Sequence, residues 1–568
     1  MDKKSLVGLL ERTAEVLELI GENPFKVKNF ASAARALEDD SRDLSELESV
    51  QFVGIPRLGK PLAQALMDAL KTGEFAPLLE ATRDVPPGVL EMFSVRGIGA
   101  KKIRTLWNAG MTSLEELRDA AVAGKVAALK GFGKKSEVTI LENVEFALTS
   151  ATRHHLSKGM EVAQILLEHL DTLSPRVLGS VGRGLETVGD VDLTVTASSE
   201  DVQNALGLLS PLEQPSLEQP SLEQGSYPAW SGTLNRVRFE VAYSSAENRP
   251  VTDALCSGSA WADFLLERAR GQGFELSLEG LFKGGTRIQL SSEAELYSAL
   301  ELPNVPLEYR EKEHLERGIE FLSSLPTSSE LIKVQDIRGM LHVHSQYSDG
   351  VATVRQMVQG ALERGYAYLG MGDHSVSAFY ANGLSVERLR AQMLEIDALR
   401  AEGFPVLKGS EVDILADGSL DYPDEVLREL DYVVASVHSL FNLSREAQTE
   451  RLVRAVSHPL VTILGHATGR LLLRRPSYDV DIDAVMAAAA LHNTAIEINA
   501  NPWRLDVDWR TALEWRDRVM FSINTDAHVV GGLDDLKYGV LMARKAGLTP
   551  ALVVNCLSVE EFKTFARG

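Results

Sequence analysis

At 568 residues the chain is too long for a single hydrophobic core, and about three to five domains are expected. Its 45% hydrophobic and 24% charged residues are ordinary for globular proteins, and no apolar run reaches the roughly 18–20 residues of a membrane helix, which excludes disordered and membrane-spanning classes. A net charge of −22 argues against a broad basic surface, yet short clusters such as GIGAKKIR and GFGKKSE can still carry contacts to a phosphate backbone.

Met1 to Leu10 lacks the long apolar core of a signal peptide, and Cys256 and Cys556 give no disulfide framework. A reducing, cytoplasmic location is expected. The first 150 residues read as short helices with apolar residues three and four apart, as in LVGLLERTAEVLELI. Three motifs punctuate them: IPRLGKPLA, VRGIGAKKI and LKGFGKKSE. Each sets glycine in a turn ahead of a helical pattern, which can present the amides of a helix N-terminus to a DNA phosphate. A single such turn is an ordinary helix cap; three together predict sequence-independent DNA binding through Gly97, Gly99, Lys101, Lys102, Gly131, Gly133 and Lys134. The first motif carries Arg57 where the others have glycine, so the prediction rests on the second and third.

Strand patterns begin at RVLGSV, DVDLTV and RVRFEVAY. Asp190 and Asp192 leave the same face of a strand and can share two divalent ions about 3.5–4 Å apart. Gly179, Ser180, Arg183 and Gly184 just upstream supply backbone amides, a hydroxyl and a guanidinium for a triphosphate. Pro211 to Gly225 repeats a short PSLEQ unit without core periodicity and is expected to be a solvated loop. After about Leu325, PTSSELIKVQDIRG is expected to link two domains.

From Met340 onward strand-like runs alternate with helical patterns, the mark of a parallel α/β architecture. Eight of the twelve histidines lie here. The runs MLHVHS, YLGMGDHS, VLKGSEVDI, YVVASVHS, VTILGHA and FSINTDAH end in His, Asp or Glu; AIEINAN does not. Carboxyl ends of parallel strands in a barrel converge on one face. Imidazole and carboxylate without thiolate suit Zn, Mn or Fe, which favour phosphoester hydrolysis.

These motifs carry two resemblances. Residues 338 to 568 resemble a PHP domain, of the polymerase and histidinol phosphatase superfamily. The resemblance implies a set of metal positions filled here by His342, His344, Asp349, His374, Glu411, His438, His466, Asp526 and His528. It places His342, His344, Glu411 and Asp526 on one ion, has Glu411 bridge to a second held by His438 and His466, and gives Asp349, His374 and His528 a third. The ions implied are Mn, Zn or Fe. Asp373 and Asp413 are expected to orient ligands, Arg470 is a candidate phosphate clamp, and His458 and His492 are expected to be structural.

Residues 1 to 320 resemble the family X DNA polymerases, on the strength of the sequence GSVGRGLETVGDVD, and the three N-terminal motifs resemble helix-hairpin-helix elements. The resemblance implies that Asp190 and Asp192 bind Mg or Mn, that Ser180 and Arg183 hold the nucleotide phosphates, and that Gly189 lets the triphosphate approach. Counting back from Ser257–Ser259 puts the third carboxylate on Glu240, where the family has aspartate. Gly182 replaces a second arginine, and Ala260 and Ala262 stand where the family has basic and histidine residues. Ala65 occupies the position of a Schiff-base lysine, so lyase activity by that route is not expected, with Lys60 left as the one alternative lysine.

The resulting layout is multidomain. It has an all-α helix-hairpin-helix N-terminal region (1–80 DNA-binding, 81–150 fingers), an α/β nucleotidyltransferase palm (151–255) with a thumb (256–320), a linker (321–337) and a distorted (β/α)7 PHP barrel (338–568). The function expected is gap-filling DNA polymerisation in repair with a 3'-5' exonuclease, acting on gapped or primed DNA with deoxynucleoside triphosphates, as a monomer and away from membranes. The palm departures leave a second reading open, a DNA-binding PHP nuclease or phosphoesterase whose polymerase site is weak or decayed.

Overall fold

The computed structural model describes residues 3–38, 40, 49–209 and 228–567; the repeat at Pro211 to Gly225 lies outside them. The chain forms two units, Met1–Thr152 and Arg153–Gly568. Among the described residues no helix is long and apolar enough to cross a membrane.

The first unit is helical throughout its described residues. Its amphipathic faces bury Leu6, Leu10, Phe30, Leu66, Ile103, Leu117 and Val144 in one core. The three glycine motifs share one backbone path. Gly59, Gly99 and Gly133 each take an extended conformation and cap the helices Lys60–Thr72, Ala100–Asn108 and Lys134–Ala151. Two residues earlier, Arg57, Gly97 and Gly131 have φ of +69°, +84° and +91°. Arg57 therefore adopts the left-handed turn that its counterparts reach as glycine, at a cost of about 1–2 kcal/mol, and the first motif keeps the geometry despite its sequence.

The second unit begins with a four-stranded sheet in the order Arg176–Val177, Asp190–Thr196, Val237–Ser244, Ala229–Leu234. The two central strands are parallel and the outer pairings antiparallel. Val191, Leu193 and Val195 fill the core against Phe239 and Val241, so period two turns Asp190 and Asp192 to the opposite face. A three-stranded antiparallel sheet follows over Phe274–Ser277, Gly280–Lys283 and Thr286–Ile288. Within the segment expected as a linker, Leu331 and Ile332 are buried, and the Ile332 amide donates to the Leu548 carbonyl at 3.0 Å.

His154–His155 and Thr187–Val188 form a short antiparallel pair, whereas the strands from Gly339 onward are parallel and pair in chain order. Gly339–Met340, Tyr368–Gly370 and Val406–Leu407 make one sheet. Gly409–Asp413, Tyr432–Ser436, Ile463–Leu464, Ala495–Asn499 and Phe521–Asn524 make the other. Parallel bridges at His374–Glu411 and Val343–Ala527 connect the two sheets at both edges. Their near-continuous apolar sequences follow from burial on both faces.

Candidate metal centres and nucleotide pocket

Most of the expected PHP ligands sit just beyond the carboxyl end of a parallel strand; Glu411 lies within the strand Gly409–Asp413 and Asp349 in the loop after Gly339–Met340. Contacts of 3.8 Å or less join them into one cluster. Glu411, fully buried, is the hub. Its carboxylate lies 3.3 Å from His342, 3.7 Å from His344, 2.9 Å from His374, 3.3 Å from His438 and 2.9 Å from His466. Asp526 lies 3.0 Å from His344 and 3.6 Å from His342. Asp349 closes the rim, 3.3 Å from His528 and 3.7 Å from His374.

Three overlapping groups have ligand atoms close enough to share an ion: His344, Asp349, His374 and His528; His342, His344 and Glu411; His374, Glu411 and His438. His374 thus stands between two of these groups, while Asp526 and His466 join through their contacts to His344 and Glu411.

The cluster is wrong for a metal-free resting state. Buried His342 Nε2, both nitrogens of His344, His374 Nδ1, Glu411 Oε2 and His466 Nδ1 make no well-formed hydrogen bond. Such orphans are costly in a protein interior, and a cation satisfies them. Electrostatics agree. Burial pulls the His438 pKa down, but Glu411 and Asp413 overcome this and push it to about 10. Burial likewise opposes ionisation of Glu411, yet the surrounding imidazoles hold its pKa well below the usual carboxylate range. Protons here occupy places that divalent ions suit better.

Partners outside this set orient it. Asp413 accepts from His438 Nδ1 at 2.5 Å, fixing that ring. Glu497 was not anticipated. It is fully buried, meets His342 Nδ1 at 2.7 Å and accepts from the His466 amide at 2.8 Å. Its signal was available: a carboxylate between Ile496 and Ile498 in a buried strand needs a partner. Asp373 touches no imidazole; it accepts from the amides and hydroxyls of Ser345 and Ser348 and braces that loop. Arg470, the candidate phosphate clamp, instead donates to the carbonyls of Arg504 and Leu505 and faces Glu186. Arg504 does reach the cluster, 3.4 Å from Asp526. At the mouth, Phe379 and Tyr380 are 85% and 71% exposed, and the Tyr380 ring lies 6.1 Å from His374 and 6.3 Å from His438. His458 reaches Asp424 at 3.2 Å, outside the cluster.

A second site occupies the four-stranded sheet. A cavity of 640 Å3 is lined by Gly179, Ser180, Arg183, Asp190, Asp192, Gly258 and Ala262 among others. Parallel register sets Glu240 directly across from Asp192 and Arg238 across from Asp190. Burial, with the like charges of Asp190 and Glu240, pushes Asp192 up to about 7. Three carboxylates this close call for a cation. Ser180 Oγ lies 3.5 Å from the Asp190 carbonyl, and Gly189 faces open space. Gly179 has φ +54°, and a Cβ there would stand 1.7 Å from Asp192 Oδ2. At Gly182 a Cβ would meet the Val177 carbonyl at 2.7 Å, so the local packing has no room for a side chain where the family has arginine. Arg183 lines the cavity with its Nε on Glu311 at 3.0 Å.

In the helical unit Lys101 is 88% exposed beside Glu18, and Lys102 donates to the Gly97 carbonyl at 2.9 Å, closing its own turn. Gly131, Gly133 and Lys134 are exposed.

Family models match along the chain: a helix-hairpin-helix domain at residues 1–75, a SAM-like helix-hairpin-helix tandem at 89–144 and a PHP domain at 340–501. Asp526 and His528 lie beyond the last match. Over 38% of its length the chain is 28% identical to a probable phosphatase of Thermoanaerobacter sp. (strain X514), covering 88% of that protein. A probable phosphatase of Caldanaerobacter subterraneus is 36% identical over 30% of the chain and 69% of its own length. Across 100% of both chains, the protein is 36% identical to the DNA polymerase/3'-5' exonuclease PolX of Bacillus subtilis (strain 168). With identity of that extent and helix-hairpin-helix and PHP segments in the same order, the chain belongs to the bacterial family X DNA polymerases that carry a C-terminal PHP domain.

Proposed function

We propose that the protein fills gaps in DNA during repair and trims 3' ends, using two separate metal centres. The observation that carries this reading is that two different residue sets form them: Asp190 and Asp192 line a cavity beside Arg183 with Glu240 across the sheet from Asp192, and one imidazole-rich cluster crowns the parallel strands. The layout proposed is a DNA-binding domain (1–80), fingers (81–150), a nucleotidyltransferase palm (151–255), a thumb (256–320), a connecting segment (321–337) and a PHP domain (338–568) read as a distorted (β/α)7 barrel. The chain is proposed to act as a cytoplasmic monomer on gapped or primed DNA.

In the palm, Asp190 and Asp192 would hold Mg or Mn, and Arg183 and Ser180 the triphosphate. Glu240 would take the proton of the primer 3' hydroxyl as it attacks the α-phosphate in line. In the PHP cluster, His342, His344, Asp349, His374, Glu411, His438, His466, Asp526 and His528 would hold up to three ions of Mn, Zn or Fe. Bound ions would supply charge neutralisation in both sites and, in the PHP cluster alone, an acidified water as nucleophile. Glu497 and Asp413 keep imidazoles aimed, and Arg504 leaves a positive charge at the rim.

A second reading, a small-molecule phosphatase, is favoured by the likeness of the C-terminal part to probable phosphatases. Phe379 and Tyr380 weigh against it, because exposed rings beside a metal site suit stacking of unpaired bases. Hydrolysis of single-stranded DNA and of a phosphomonoester is compared for wild type and for Phe379→Ala/Tyr380→Ala. DNA degradation that falls about 5-fold or more in the double variant, with the phosphomonoester hydrolysed poorly by both, supports the nuclease. Preference for the phosphomonoester by the wild type supports the phosphatase.

A further inference from the structure

Lys545 closes the helix Leu536–Lys545, and its side chain is fully buried. A buried ammonium needs partners, and this one finds them around the nucleotide pocket. Its Nζ donates to Glu311 Oε1 at 2.7 Å, to the Arg183 carbonyl at 3.0 Å and to the Glu308 carbonyl at 3.4 Å. The same Glu311 oxygen accepts from Arg183 Nε at 3.0 Å. Beyond that bond the Arg183 guanidinium donates to the Ser257 carbonyl and lies against Gly258, a lining residue of the cavity. From the other side, His314 stacks on Trp509 at 5.0 Å and brings its Nε2 within 3.0 Å of the Lys545 carbonyl, which fixes the end of the helix.

The charge count gives this arrangement its meaning. Glu311 and Arg183 alone would form a neutral pair, and an incoming triphosphate would have to compete with the carboxylate. At Glu311 two cations, Lys545 and Arg183, meet one anion; the other nearby carboxylate, Glu186, has Arg470 and Arg510 as its own partners, so a positive charge remains beside the cavity in a region of low dielectric. The bond to the Arg183 carbonyl also anchors the base of the side chain that carries the guanidinium.

We propose that Lys545, which follows the PHP match and lies far from the palm in sequence, is a positioning residue for the nucleotide pocket. It keeps Arg183 in place and only partly neutralised. The C-terminal segment is thereby a working part of the polymerase site, not solely a second enzyme. The inference rests on the polymerase reading of that pocket.

Lys545→Met removes the charge at similar length, and Lys545→Gln, whose amide can still donate to the Arg183 carbonyl, replaces it should the methionine variant fail to fold. Binding of a fluorescent dATP analogue with Ca2+, the KM and kcat of gap filling, and single-stranded DNA degradation are measured together. The proposal expects nucleotide Kd and KM to rise about 10-fold, as for loss of one charge-assisted contact, with a smaller change in kcat and unchanged degradation. Arg544→Gln is the control for mere loosening of the helix: Arg544 pairs with Glu308 at 2.6 Å and does not touch Arg183. It should leave nucleotide affinity unaltered. Nucleotide KM within twofold of wild type in a folded Lys545 variant, or an equal rise in Arg544→Gln, overturns the proposal. A wild type that neither binds nor incorporates nucleotide refutes the pocket reading and the inference with it.

Discussion

Gly179→Ala puts the smallest possible side chain where the palm can least accept it. The added Cβ would sit 1.7 Å from Asp192 Oδ2 and 2.7 Å from Asp192 Cβ, at a backbone φ of +54°. Ordinary contact begins near 3.4 Å, so the carboxylate must retreat by about 1.5 Å or the glycine turn must open. The left-handed conformation adds about 1–2 kcal/mol, which lowers stability without unfolding a protein of this size. A displacement near 1 Å at a reacting centre costs on the order of 100-fold in rate. Gap filling by Gly179→Ala should therefore fall at least about 100-fold in kcat, while single-stranded DNA degradation stays at the wild-type rate. Both are read from one labelled primer on a denaturing gel, with thermal melting as the check on folding. Gap filling within fivefold of wild type would show that Asp192 does not work where the cavity places it.

Other perturbations address the remaining parts. Glu497→Gln keeps the shape but loses the charge that orients His342 at 2.7 Å; Mn2+ affinity by equilibrium dialysis should drop about 10- to 100-fold with gap filling intact, and unchanged affinity would deny Glu497 its role. His438 and His528 stand at about 10 and about 9 without metal, both raised by neighbouring carboxylates over the opposing effect of burial. Stability from these raised imidazoles is full below their unfolded value and fades as pH climbs through 9 to 10, so metal-free protein should melt lower across that window while metal-loaded protein does not. Metal addition at pH 7.5 should release about three protons per chain, from His342, His438 and His528; a pH-stat trace showing none contradicts the ligand assignment. Lys101→Ala/Lys102→Ala should weaken binding to any duplex sequence and lower the salt dependence of log K by about 1–2, whereas an unaltered slope would remove these lysines from the interface.

Most of the expected PHP ligands were readable because they follow apolar runs, and in parallel strands the carboxyl ends share a face. Glu411 and Glu497 both sit at the centre of a five-residue strand; the family resemblance pointed to Glu411, whereas Glu497 is marked only by the anomaly of a carboxylate between isoleucines. Arg470 misled for the opposite reason: a guanidinium in a loop can turn inward to backbone carbonyls as readily as outward to phosphate, and spacing does not tell which. In the helical unit, Arg57 concealed a turn its backbone still makes. Side-chain identity is a weak guide to φ where packing on either side enforces the bend. Lys545 left no local mark, since the hydrogen-bond partners of its ammonium lie more than two hundred residues away in sequence.

The most direct test is a crossed assay on one gapped, 3'-labelled substrate, scoring extension and shortening for wild type, Asp192→Asn and Glu411→Gln. Independent centres predict that Asp192→Asn loses extension and keeps shortening, and that Glu411→Gln does the reverse. Both activities lost in either variant would contradict the claim that two metal sites divide the work.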